Sequence, residues 1–198
     1  MLSRTVPSLA QVGLIGVGKM GEAIAKNLVA AGHSVSMFDV NQENLAKIAA
    51  EDPANLKASR SVREVAEECS TVVTMLPNDK VLNHVCREEV RRVTMASEAT
   101  SERQCGDRQP NMALQPTRCS STLTPECAPP SLPQGLVDAL ASSHDKSTHV
   151  SCSTVSPYTS RELSDFHLAA SAGSKYVGAP VFARPDGLAL KQASFTMR

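Results

Sequence analysis

Compact apolar runs alternate with segments of helical period along the first 86 residues. Gln11–Ile15 (QVGLI) is such a run and predicts a short buried strand. Glycines at 16, 18 and 21 punctuate it, after which Ala23, Ile24, Leu28 and Val29 recur at helical spacing until Gly32 ends the helix. Ser34–Asp39 predicts a second strand, and Asn41 is placed to cap a helix running to about Ala50. Leu56–Ser59 reads as a short third strand and Val62–Glu68 as a short helix. Ser70–Leu76 is a fourth strand, closed by Pro77. Strands and helices alternating at this rhythm predict a parallel sheet with helices on both faces.

The pattern stops at about Arg87. Residues 87–134 hold no Ile, Phe, Tyr or Trp, but six of the twelve prolines and three of the six cysteines. Such a stretch buries too little apolar surface to offset the entropy of ordering, so it reads as a disordered insertion. Only its first residues (REEVRRV) could prolong a helix. The pattern resumes at Gly135. Leu136, Val137 and Leu140 suggest a short amphipathic helix, and His149–Cys152 a fifth strand. Ser156 is placed to cap a helix from Pro157 to about Ala172, with proline at the first position, where its missing N–H costs nothing. Thr159 to Glu162 offers a capping box as an alternative start. Lys175–Val177 reads as a sixth strand, and Asp186–Arg198 has no clear pattern. The expected organisation is therefore residues 1–86 and 135–198 as two parts of one domain, the second truncated, with 87–134 between them.

Composition adds mainly exclusions. Lys plus Arg equal Asp plus Glu at 20 each, so there is no basic field for nucleic acid or anionic lipid. Hydrophobic residues are 41 % but aromatics only 3 %, so the core must be aliphatic. No apolar run approaches the roughly 18–20 residues of a membrane helix. The ten residues before the first strand are too short for a standard signal or transit peptide, so the expectation is a soluble, cytoplasmic protein. The six cysteines form no C-x-x-C pair, which argues against a metal site and for free thiols.

The chemistry lies in Gly16-Val17-Gly18-Lys19-Met20-Gly21, a G-x-G-x-x-G between a readable strand and a readable helix. Gly16 permits the tight turn. Gly18 lets a pyrophosphate approach the backbone, and Gly21 lets helix and strands pack closely. The helix start offers free N–H groups and a positive dipole end to phosphate. Lys19 either helps to neutralise that phosphate or is a solvated first-turn lysine. Asp39 follows Gly21 by 18 residues at the end of the second strand, where a carboxylate accepts from the adenosine ribose hydroxyls and repels a 2′-phosphate. NAD is thus favoured, with NADP the second candidate. The fold class is α/β, a doubly wound parallel sheet of the Rossmann type.

Three stretches in order resemble the β-hydroxyacid dehydrogenases, the family of 3-hydroxyisobutyrate dehydrogenase and the NAD-binding domain of 6-phosphogluconate dehydrogenase. They are Val12–Gly21, Thr74-Met-Leu-Pro77 and Cys152-Ser-Thr-Val-Ser-Pro157, with Gly178-Ala-Pro-Val181 also recognisable. The resemblance implies that Leu76 and Pro77 line the cofactor, and that Ser153 and Thr154 lie near nicotinamide and substrate. It implies a small hydroxy acid as substrate. It leaves the oligomeric state unknown.

The chain also departs from the family. Ser151 stands where an acid is common, and Phe182-Ala183-Arg184 where Ser-Gly-Gly is usual. Arg184 is either a partner for a substrate carboxylate or a surface arginine. The G-x-G-x-x-x-K-x-x-x-N pattern that carries the family's catalytic lysine does not occur in these residues, Lys191 lacks its glycines, and the family's helical C-terminal domain is expected to be missing. No catalytic residue is therefore assigned. Three functions follow: a hydroxyacid oxidoreductase, a catalytically incomplete dinucleotide-binding fragment, and a dinucleotide-sensing module that recruits partners through 87–134.

Overall fold

A computed structural model describes residues 10–88, 135–192 and 194–195; apart from Arg87 and Glu88, the stretch read as an insertion lies outside them. Strands β1 (Gln11–Ile15), β2 (Ser34–Phe38), β3 (Leu56–Ala58), β4 (Thr71–Thr74), β5 (Ser147–Ser151) and β6 (Ser174–Gly178) form a sheet of order β3-β2-β1-β4-β5-β6. Each adjacent pair is parallel. Helices α1 (Lys19–Ala30), α2 (Gln42–Glu51), α3 (Val62–Glu68), α4 (Asp79–Arg87), α5 (Leu136–Ser143) and α6 (Pro157–Ala170) supply the crossovers. The doubly wound sheet expected from the sequence is thus the observed one.

Both faces of the sheet are covered, which is why β1 and β2 are buried along four of their five residues. On one face Leu14, Val35 and Met37 pack with Ile24, Leu45 and Ile48 of α1 and α2. On the other, Ile15, Phe38 and Val72 pack with Val65 of α3 and Leu136 and Leu140 of α5. The capping expectations hold: Asn41 accepts from Asn44 N–H at 3.2 Å and Ser156 from Thr159 N–H at 3.1 Å. The helix starts from Ser156 rather than from the alternative box at Thr159.

Several elements differ from the sequence reading. Residues after Pro77 form α4, capped by Asn78, whose side chain accepts from Val81 N–H at 3.0 Å. The region from Asp186 holds more order than its pattern suggested. Helix α7 (Pro185–Ala189) starts there, and strands β7 (Val181–Phe182) and β8 (Ser194–Phe195) pair antiparallel. A five-residue helix is too short to show a period. It is held instead by tertiary contacts: Leu188 is buried in the α1 cluster, and Asn27 Nδ2 donates to the Leu188 carbonyl at 2.8 Å.

The chain also closes on itself across 89–134. Gly135 lies so near the end of α4 that a Cβ there would sit 2.4 Å from the Cys86 carbonyl oxygen. The described residues on either side of 89–134 therefore meet. Replacing 89–134 by a short Gly-Ser linker is expected to keep cooperative unfolding and to raise stability by about 2 kcal/mol, the closure entropy saved by a tenfold shorter loop. Chemical denaturation of the two forms checks this, and loss of the cooperative transition would show 89–134 to be integral. Among the described residues no helix is long and apolar enough to cross a membrane.

Candidate functional site: a cleft at the switch point of the sheet

Strand order reverses between β1 and β4, and their loops part at the carboxyl ends, where open α/β sheets bind ligands. A cleft of about 520 Å³ opens there. It is lined by Gly16, Gly18, Lys19, Met20 and Gly21, by Phe38, Asp39 and Val40, by Met75, Leu76 and Pro77, and by Val81 and Val85.

The glycine turn is shaped by its neighbours. Gly16 has φ +93°, and its N–H donates to the Phe38 carbonyl at 3.0 Å, extending the β1–β2 ladder. A Cβ on Gly16 would lie 2.3 Å from the Met75 carbonyl oxygen, and one on Gly21 2.0 Å from the Gly16 carbonyl oxygen. Gly18 is the exception, since a Cβ there would meet nothing within 4 Å. Its side faces the open cleft at the N-terminus of α1.

Asp39 ties the second strand to this turn. One carboxylate oxygen accepts from Val17 N–H at 2.5 Å, the other from Asn41 N–H at 2.7 Å. Val17 contributes its backbone only, because its side chain is buried in the α1 cluster. Lys19 is exposed and Met20 packs partly against the core. Beside Asp39, Val40 is 76 % exposed, an apolar surface at the mouth of the cleft.

The second pair of expected residues is placed differently. Ser153 is buried, and its hydroxyl accepts from Leu76 N–H at 2.8 Å. It fastens the loop after β4 to the loop after β5. Thr154 is exposed, and neither residue lines the cleft. Ser153→Ala is expected to leave Leu76 N–H unpartnered, lowering stability by about 1–3 kcal/mol. Thermal unfolding reads that loss, and an unchanged midpoint would remove the fastening role.

The sequence reading missed Phe38, Val40, Val81 and Val85, the apolar walls. Val81 and Val85 share a face of α4 at i, i+4 spacing, a signal that was legible once a helix followed Pro77. The described cysteines are not part of any chemistry here. Burial pushes the thiols of Cys69, Cys86 and Cys152 up to about 11, 12 and 11, so they stay protonated. Among the described residues no three His, Cys, Asp or Glu side chains group as a metal site.

A family model for the NAD binding domain of 6-phosphogluconate dehydrogenase matches residues 11–104. The probable mitochondrial 3-hydroxyisobutyrate dehydrogenase of Dictyostelium discoideum is 38 % identical over 78 residues, 39 % of this chain and 23 % of that protein. The 3-sulfolactaldehyde reductase of Escherichia coli K12 is 32 % identical over 77 residues, 39 % of this chain and 25 % of that protein. The solved 3-hydroxyisobutyrate dehydrogenase of Mycobacterium tuberculosis, studied with L-serine, superposes with a TM-score of 0.63 at 19 % identity. That match covers 96 % of this chain and 46 % of the enzyme. The curated relatives are thus matched over about a quarter of their length, and the solved enzyme over just under half of its own. Glycine turn, strand-two acid and sheet order thus accompany a sequence similarity to the NAD binding domain of 6-phosphogluconate dehydrogenase that spans just under half of the chain.

Proposed function

We propose that this chain binds a nicotinamide dinucleotide, NAD in preference to NADP, as the cofactor-binding part of an oxidoreductase acting on small hydroxy acids. The observation that carries the reading is the pairing of open space at Gly18 with a carboxylate anchored beside it at Asp39. The residues present suit such a cofactor. The first turn of α1 has free N–H groups for a pyrophosphate, and Asp39 is placed to accept from ribose hydroxyls. Val40, Pro77, Val81 and Val85 offer apolar walls to a flat base. Lys19 stands exposed at the start of α1, on the phosphate side. Bound there, the nicotinamide would supply hydride transfer, while the chain's own residues bind and orient.

The experiment is thermal unfolding with each cofactor. At about 100 times its Kd a ligand stabilises by roughly 2.7 kcal/mol, so NADH is expected to raise the midpoint clearly and more than NADPH. A larger rise with NADPH would reverse the preference, and no rise with either would remove the reading.

A second reading, binding without turnover, is favoured by one specific observation. Among the described residues Lys19 is the only lysine lining the cleft, and it stands at the start of α1. General acid–base catalysis is typically worth about 10²–10⁴-fold. Absorbance of reduced cofactor with 3-hydroxyisobutyrate, D-glycerate, 4-hydroxybutyrate and 6-phosphogluconate separates the two. Turnover of any of them would exclude the second reading.

A further inference from the structure

Beneath α6 lies a buried polar chain that the nucleotide site does not use. Thr74 on β4 bonds His149 Nε2 on β5 at 2.9 Å. His149 Nδ1 bonds His167 Nε2 on α6 at 2.9 Å, and His167 Nδ1 bonds Ser174 on β6 at 2.8 Å. Ser147 donates to Ser174 at 3.2 Å. Both imidazoles are fully buried, and the Tyr176 ring packs against them at 5.2 and 5.7 Å. Four elements are thus joined through two histidines.

The proton count restricts this chain. Each neutral ring has one N–H and one acceptor nitrogen, so one proton per link satisfies all three bonds in either direction. A first added proton creates a buried imidazolium. A second sets two N–H groups face to face at 2.9 Å. The surroundings supply no counter-charge among the described residues. On α6, Arg161, Glu162 and Asp165 are exposed, and Glu162 is paired with Arg87 at 2.7 Å. On β6, Lys175 is exposed and Tyr176 faces the rings. On α4, Cys86 and Asp79 lie toward Tyr176, the Asp79 carboxylate accepting from Ser156 N–H at 3.0 Å. On α5, Asp138 is half-buried and His144 is turned to the Ala66 carbonyl at 2.9 Å. β4 contributes only hydroxyl and apolar side chains.

The chain is also linked to the cleft. Cys152 N–H donates to the Thr74 carbonyl at 2.8 Å, and the next residue, Ser153, holds Leu76. We propose that the Thr74–His149–His167–Ser174 chain is an acid-released latch. Neutral, it clamps α6 and β6 to β4 and β5 and so maintains the Leu76–Ser153 bridge beside the nucleotide cleft; below neutrality it opens and the cleft loses its ligand. The ligand part rests on the proposed dinucleotide binding. Burial supports the direction: it lowers His149 well below an ordinary histidine and His167 to about 4. An opened histidine titrates near 6.5. Between those values the open form binds more protons, so opening gains as pH falls.

Hydrogen exchange on the full chain without cofactor tests the latch. From pH 6.5 to 5, protection of β4–β6 amides, corrected for intrinsic rates, is expected to fall at least tenfold per pH unit. The His149→Gln/His167→Gln double variant is expected to show no such slope. Flat protection in the native chain, or the same slope in the variant, would overturn the proposal. Imidazole nitrogen NMR of the native chain decides the matter should the variant not fold. Rings that become charged between pH 6.5 and 5 as the β4–β6 protection is lost support the latch, and rings that stay neutral, or become charged while that protection persists, overturn it. Calorimetry with NAD+ at pH 7.5 and 5.5 reads the coupling, with at least a tenfold loss of affinity expected in the native chain only. Equal affinity at both pH values would overturn the coupling. Absent binding at pH 7.5 with pH-dependent exchange would overturn the cofactor reading and keep the latch.

Discussion

Gly18→Ala is expected to leave the melting temperature of the ligand-free chain nearly unchanged and to abolish most of its rise with NADH. Its neighbours Gly16 and Gly21 are expected to behave in the opposite way. Gly18 has φ −73° and ψ −169°, a conformation any residue adopts, and a Cβ there meets nothing within 4 Å. The cost to the fold is that of alanine at a helix N-cap, a few tenths to about 1 kcal/mol. In the proposed complex the same Cβ would stand where a pyrophosphate approaches the backbone, so affinity is expected to fall by roughly one to two orders of magnitude. Gly16→Ala meets two penalties in the unliganded fold. Its φ of +93° is strained for any residue with a Cβ, and that atom would press on the Met75 carbonyl. Strain alone is worth about 1–3 kcal/mol, and the clash adds to it. With about 2–4 °C per kcal/mol for a domain of this size, a loss of roughly 6–12 °C follows. Gly21→Ala drives a Cβ against the Gly16 carbonyl with the same sign. Differential scanning fluorimetry with and without NADH reads all three variants. A Gly18→Ala protein that still shifts fully with NADH would place the phosphates elsewhere.

Asp39→Ala is expected to weaken NAD(H) binding by roughly 10–150-fold, the loss of one hydrogen bond to a charged acceptor worth about 1.5–3 kcal/mol. It also strips Val17 N–H of its partner, which costs the fold about 1–3 kcal/mol more. The substitution is not expected to create an NADP-binding protein. It removes a repulsion but supplies no cation, since the adjoining Val40 is an exposed apolar residue. Asp39→Asn separates the two roles. Its amide oxygen can still accept from Val17, so stability recovers while the preference for NADH over NADPH narrows. Isothermal calorimetry with both cofactors gives the comparison. An Asp39→Ala protein with unaltered NADH affinity would leave the carboxylate a purely structural tie.

Much of this site was legible because its parts are local. The glycine turn, its flanking strand and helix, and an acid 18 residues on are neighbours in sequence, and each obeys a short-range rule. Asn41 and Ser156 were readable as caps for the same reason, since a capping side chain bonds three residues ahead. Ser153 was legible as a member of the loop after β5 but not in its role. Its partner is Leu76, 77 residues earlier, and only the parallel pairing of β4 with β5 brings the two together. The same pairing hides His149. In β5 the buried positions are Ser147, His149 and Ser151, an alternation of polar residues that no hydrophobic pattern reports.

The amino-acid sequence alone therefore determined the α/β class, the order of the central elements, the glycine turn after the first strand and the acid at the end of the second. Each follows from backbone preference, period or spacing within about 30 residues. Tertiary structure decided the rest. It left Gly18 open while closing the turn around Gly16 and Gly21, buried Ser153 as a tie between loops, raised apolar walls from α4, and joined two histidines under α6. It also brought Gly135 back against the end of α4. These features depend on which strands lie side by side and in what register, a choice made by the packing of both sheet faces together rather than by any one segment.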